Sequence, residues 1–156
     1  MREILFRGKA INRDRYESFR TNYKNGDWVY GLLSREFDAR FENLPAEMTN
    51  EDGVSGIDID YKTIGQSTGL TDKNGKTIFE GDILAIKFYP RYVERVSWDG
   101  KPDAIAKVLW DFNAFRLRAK NDADIRYADF IDICFKETEV IGNIYDNPEL
   151  LDGEEE

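Results

Sequence analysis

Ile57-Asp58-Ile59-Asp60-Tyr61-Lys62 alternates apolar and polar side chains, and a run dense in glycine and small hydroxyls follows it, Ile64-Gly65-Gln66-Ser67-Thr68-Gly69-Leu70-Thr71-Asp72-Lys73-Asn74-Gly75-Lys76-Thr77-Ile78-Phe79-Glu80-Gly81-Asp82-Ile83. A two-residue period puts Ile57, Ile59 and Tyr61 on one face of a strand. Within the run, Asp72-Lys73-Asn74-Gly75 has turn chemistry: Asn and Gly tolerate positive φ, and Asp caps the turn backbone. Lys76 to Phe79 and Asp82 to Tyr89 are expected as strands, kinked at Gly81. Such a chain is committed to short strands joined by tight turns.

The same pattern recurs elsewhere. Glu3 to Gly8 alternates, with Ile4 and Phe6 on one face; Asn25-Gly26 reads as a turn, and Trp28 to Leu33 as the strand after it. Together these predict an N-terminal hairpin with an excursion in which Tyr16, Phe19 and Tyr23 stand at helical spacing. Further strands are expected over Ala104 to Phe112, Phe115 to Ala119, Ile131 to Phe135 and Val140 to Tyr145, the last ended by Asn147-Pro148. Phe37, Phe41, Leu44 and Met48 fall on one helical face, and Pro45 limits any helix to about Arg35 to Asn43. The expected core includes Ile57, Ile59, Ile83, Ile86, Val108, Trp110, Leu117, Ile131, Ile133 and Ile141. The fold expected is β-rich α+β: a small SH3-like or other partly open barrel, or a bent antiparallel sheet, with an N-terminal hairpin and short helical insertions. The SH3-like part rests on analogy with a strand meander.

Three blocks resemble the YopX family, small proteins of bacteriophages and of prophage regions. They are the run Ile64 to Ile83, the opening Arg2-Glu3-Ile4-Leu5-Phe6-Arg7-Gly8 with Gly26-Asp27-Trp28-Val29-Tyr30-Gly31, and the close Glu139-Val140-Ile141-Gly142-Asn143-Ile144-Tyr145-Asp146-Asn147-Pro148-Glu149-Leu150-Leu151. The resemblance implies a single domain over 1–151 and marks residues 35–56 as a variable insertion. It marks Gly65, Gln66, Thr68, Gly69, Asp72, Asn74, Gly75, Glu80, Gly81, Asp82, Gly142, Asn143, Asn147 and Pro148 as signature positions, expected to be architectural. The family carries no established biochemical activity, so the resemblance supplies none.

Length and composition fit one globular domain with its own core: 156 residues, 41% hydrophobic, 34% charged. No apolar run approaches the roughly 20 residues of a membrane span, and the start lacks the apolar segment of a signal peptide. Cys134 is the single cysteine, set in an apolar run where a buried thiol is expected. A cytoplasmic protein of the bacterial host cell is the expectation. The acidic stretch 152–156 is expected to be a disordered tail.

The net charge of −9 disfavours non-specific nucleic-acid binding. Between Lys87 and Lys120, however, eight bases face four acids, a net +4 that leaves −13 on the rest of the chain. Either these bases form a local basic face or they pair with acids folded beside them. Tyr89, Arg91, Tyr92, Arg95, Trp98 and Arg116, in this basic and aromatic stretch, are the candidate binding residues, because bases flanking aromatics can contact phosphates and stacked bases or anchor a protein.

The chain has no histidine, which removes Ser-His-Asp and Cys-His catalysis and the usual zinc sites. No P-loop or dinucleotide fingerprint is present. Carboxylate chemistry remains: Asp72, Glu80 and Asp82 are oxygen donors of the kind Mg²⁺ or Ca²⁺ takes. An EF-hand fails, since Gly75 at the sixth loop position puts Leu70 first and Gly81 twelfth. The expectation is therefore a non-enzymatic phage or prophage accessory protein, with no cofactor and no metal. It works by protein contact, with itself as a homo-oligomer and with a host or phage protein. A nucleic-acid-associated factor using residues 87–120 is the alternative, and a carboxylate-metal enzyme the third.

Overall fold

The structure, a computed structural model, describes residues 5–11, 23–35, 45–86, 104–111, 114–119, 124–125 and 138–152. Ten strands follow in chain order: β1 (Phe6–Ala10), β2 (Trp28–Arg35), β3 (Ala46–Asn50), β4 (Ile57–Thr71), β5 (Thr77–Phe79), β6 (Asp82–Ile86), β7 (Ala104–Asp111), β8 (Ala114–Ala119), β9 (Asp124–Ile125) and β10 (Glu139–Asn143). One 3₁₀ turn, Pro148–Leu151, closes the described chain. The architecture is two antiparallel sheets, partly open, with almost no helix. Contacts divide the chain into two compact units, Met1–Ser67 and Thr68–Glu156.

In the first unit, β2 pairs with β1 and β3, β3 pairs with β4, and β1 pairs with both β2 and β4. The alternation of these strands sends Val29, Ala46, Met48, Ile57 and Ile59 inward, where they pack with Ala10 as the core. The expected N-terminal hairpin is the β1–β2 pair. β1 slips on β4 between Arg7↔Gly65 and Lys9↔Asp60. Thr63, buried at the slip, accepts the Lys9 N–H at 2.8 Å and donates to the Asp60 carbonyl at 2.7 Å. A hydroxyl thus replaces the ladder partners that the irregularity removes.

In the second unit the sheet order is β10-β6-β7-β8-β9. Leu84 and Ile86, Ala106 and Val108, and Leu117 share its inner face and pack with Ile78. Each such Leu, Ile or Val taken out of water stabilises the fold by about 1.5–3 kcal/mol.

Several expectations need correction. Trp110 and Ile141, expected in the core, are 46% and 37% exposed. Trp110 lies on the inner-facing side of β7 but beyond the last core residue, where it meets only Phe115, edge to face with ring centroids 4.7 Å apart. Met48, expected on a helical face, is a buried strand residue of β3, because strand alternation with Ala46 serves the core better than a helix that Pro45 interrupts. The segment 35–56 therefore contributes a core strand. Arg35 ends β2 rather than starting a helix; the remaining short helical insertions and the strand over 131–135 lie outside the described residues, as does Cys134. An SH3-like arrangement is not what the strand order shows.

Candidate functional site

The signature and the C-terminal block form one hydrogen-bonded clasp in the second unit. Asp72, only 6% exposed, opens the 72–76 turn: its Oδ1 accepts the N–H of Asn74 at 2.8 Å and of Lys76 at 2.9 Å. Its Oδ2 accepts the N–H of Val140 on β10 at 3.1 Å, and the neighbouring Lys73 N–H donates to the Thr138 carbonyl at 2.8 Å. A short turn thus covers the edge of β10 that β6 does not use, satisfying an edge that would otherwise template another strand. Burial pushes the Asp72 carboxyl upward, but the N–H groups of Val140, Lys76 and Asn74, with the Lys76 charge, outweigh it and hold the carboxyl below its ordinary value.

Gly69, Gly75 and Gly81, expected at bends, have φ of 74°, 80° and 82°. Gly81 shows why one of them must be glycine. Its N–H donates to the Val108 carbonyl, its carbonyl accepts the Ile144 N–H, both at 2.9 Å, and a Cβ there would meet the Tyr145 ring at 3.2 Å. On β10, a Cβ at Gly142 would stand 2.6 Å from Asn147 Oδ1 and 2.9 Å from a Leu150 methyl. Asn143 Oδ1 accepts the N–H of Tyr145 and of Asp146, each at 3.0 Å, which turns the chain toward Asn147 and Pro148, the start of the 3₁₀ turn. Thr68 Oγ1 donates to the Ile78 carbonyl at 2.9 Å. Gly65 and Gln66, by contrast, belong to the first unit and pair with Arg7 and Phe6 of β1.

The three carboxylates are not gathered. Glu80 sits in the turn before β6 instead of sharing a strand face with Asp82, and Asp82, 1% exposed, accepts the Phe79 N–H at 2.8 Å. Among the described residues no group of three or more His, Cys, Asp or Glu is placed to hold a metal ion.

Of the candidate binding residues, Tyr89, Arg91, Tyr92, Arg95 and Trp98 lie outside the described residues. Arg116 is on β8, opposite Leu109. The aromatic and basic residues that interleave along the sequence here separate in space: Trp110 pairs with Phe115 on one face, while Lys107 pairs with Arg118 on the other.

A mixed face does form, in the first unit, where the sequence reading did not place one. Trp28 of β2 lies opposite Lys9 of β1, and Tyr30 opposite Arg7. The Arg7 guanidinium carbon is 4.7 Å from the Trp28 ring centroid and Lys9 Nζ is 5.4 Å from it, both within cation–π range. Tyr30 and Leu32, next on the same face of β2, are 38% and 43% exposed. The signal was available in the alternation of Trp28, Tyr30 and Leu32 with the inward Val29 and Leu33; the register that brings Arg7 and Lys9 alongside was not.

The sequence profile described as YopX protein matches residues 10–152, which takes in the signature, the clasp and most of both units. The chain belongs to the YopX family. A crystal structure of protein EF1440 from Enterococcus faecalis is similar over 96% of this chain and 99% of that one, at 26% identity and a TM-score of 0.53. No curated protein matches the chain. In YopX terms, the hallmark run 64–83 and the closing block are two halves of one structural joint.

Proposed function

We propose that this YopX protein is a non-enzymatic phage or prophage accessory protein of the bacterial cytoplasm that acts by protein contact, beginning with self-association. One observation carries the reading: Trp28, Tyr30 and Leu32 stand in a row on the solvent side of β2 beside Arg7 and Lys9. Trp, Tyr and Arg are the residues that most often anchor interfaces, and a row of exposed apolar side chains on one strand marks a contact surface. A symmetric pairing of this face with its own copy closes the assembly without leaving the row open. No helix among the described residues is long and apolar enough to cross a membrane, which accords with such a role. The signature residues are, on this reading, architectural: the clasp uses Asp72, Gly81, Gly142 and Asn143 to hold β10 rather than to bind a ligand.

Light scattering over a range of concentrations tests self-association. A mass that stays at 18.1 kDa throughout ends it. An oligomer that Leu32→Glu dissociates, with the far-ultraviolet β-signal unchanged, supports this face; an oligomer indifferent to Leu32→Glu moves the contact elsewhere.

A further inference from the structure

The face of the β6–β7–β8 sheet turned away from Trp110 gathers cations. Register sets Lys107 of β7 directly against Arg118 of β8, and Leu109 against Arg116. Opposed residues share a face, and so do Arg116 and Arg118, two apart on one strand. Three half-buried cations from two strands therefore stand on one surface. Asp111 lies on the same side of β7, and Asp124 holds the position beside Arg118 on β9. The balance is still positive, on a chain whose net charge is −9. Like charges directly opposed across a ladder weaken it, a cost that a bound anion offsets. The row also has a defined margin. Ile83 pairs with both Lys107 and Gly142, and the C-terminal turn crosses Gly142 closely enough for Asn147 and Leu150 to fill the space of a Cβ there. The cations begin where that cover ends.

We propose that this β7–β8 face binds the phosphodiester backbone of nucleic acid without reading its sequence. Two rises of about 3.3–3.4 Å separate Arg116 from Arg118 along β8, and Lys107 lies about 5 Å across, so the row meets more than one phosphate of an extended strand. Trp110 and Phe115 are on the opposite face, so β7 and β8 offer no aromatic ring here for a base to stack on, and backbone contact is what remains. The surface is separate from the Tyr30 and Leu32 row, so it stands or falls independently of self-association.

Fluorescence anisotropy tests it with a labelled mixed-sequence single-stranded oligonucleotide, its duplex, and polyglutamate as a non-nucleic polyanion, at about 50 to 200 mM salt. The expected result is oligonucleotide binding that weakens with salt. Lys107→Gln and Arg118→Gln should each reduce the log–log salt slope by about 0.7 on the single strand or about 0.9 on the duplex, Lys107→Arg should keep it, and Lys24→Gln, an exposed cation in the first unit, should leave it unchanged. Absence of binding at the lowest salt, equal binding to polyglutamate, or equal losses in Lys24→Gln each overturn the proposal. Should Arg118→Gln fail to fold, Lys107→Gln against Lys107→Arg decides alone.

Discussion

In the first unit Trp28 and Tyr30 share a strand face with Arg7 and Lys9, whereas in the second Trp110 and Phe115 stand on one face and Lys107, Arg116 and Arg118 on the other. Both stretches hold the same residue types, so composition is not what separates them. The cause is parity and register. Along β7, Lys107 and Trp110 are three apart, and along β8, Phe115 and Arg116 are adjacent; an odd separation on a strand means opposite faces. In β1 and β2 the cations and aromatics are on different strands, and the register Lys9↔Trp28 brings them to one side. A basic and aromatic stretch is thus a mixed surface only when strand pairing makes it one.

The largest effects should come from the inward faces, where the two units are alike. Met48→Ala in the first and Leu84→Ala in the second each remove a fully buried side chain and should cost about 2–5 kcal/mol through the transfer and cavity terms. Chemical denaturation measures this. A loss below about 1 kcal/mol at either position would mean that unit has no packed core of its own.

Next comes the clasp, which has no counterpart among the described residues of the first unit. Asp72→Asn keeps one carbonyl oxygen but turns an NH₂ toward N–H donors that the carboxylate accepts, and should destabilise by about 1–3 kcal/mol. The Asp72 pKa is lowered in the fold, so its contribution is full above the unfolded value of about 3.9 and is lost as pH falls through the folded value. Urea midpoints measured downward from pH 5 should therefore drop less in Asp72→Asn than in the parent. An equal drop would assign the acid sensitivity to other carboxylates.

The two tryptophans test the surface contrast directly. Trp28→Ala removes a ring held beneath two cations, each contact worth about 0.5–1 kcal/mol at an exposed site. Trp110→Ala removes one aromatic pair, worth about 0.5–1.5 kcal/mol, and far less buried area than a core tryptophan would forfeit. Trp28→Ala should be the more destabilising of the two by thermal melting. The reverse order would mean that Trp110 is covered in solution by something the chain alone does not provide.

Much of this was legible beforehand. The alternation of Ile57 and Ile59, the Asp72–Gly75 turn and the bend at Gly81 follow from local rules, and each appears in the structure. Trp110 was misplaced because its strand alternates correctly but runs past the core, and periodicity gives the face of a residue, not how far the facing layer extends. Met48 was misplaced because Phe37, Phe41 and Leu44 set a helical frame that Pro45 already interrupts. The clasp was half legible. Capping by Asp72 is local, but the bond to Val140 spans 68 residues and depends on strand order.

The smallest effect belongs to the ion pair beside the clasp. Lys73 Nζ meets Glu139 Oε2, and both side chains are about two-fifths exposed. Water and salt screen such a pair, and holding two long side chains in one geometry costs entropy, so it contributes about 0–1 kcal/mol. The same two residues lend their backbone to stronger bonds, Lys73 to Thr138 and Glu139 to the β6 ladder, and substitution of the side chains leaves those intact. Glu139→Gln and Lys73→Gln should thus shift the melting temperature little, and the shift should shrink further as salt is raised. A loss as large as that of Asp72→Asn, persisting at high salt, would place the strength of the clasp in the ion pair instead of in the buried carboxylate.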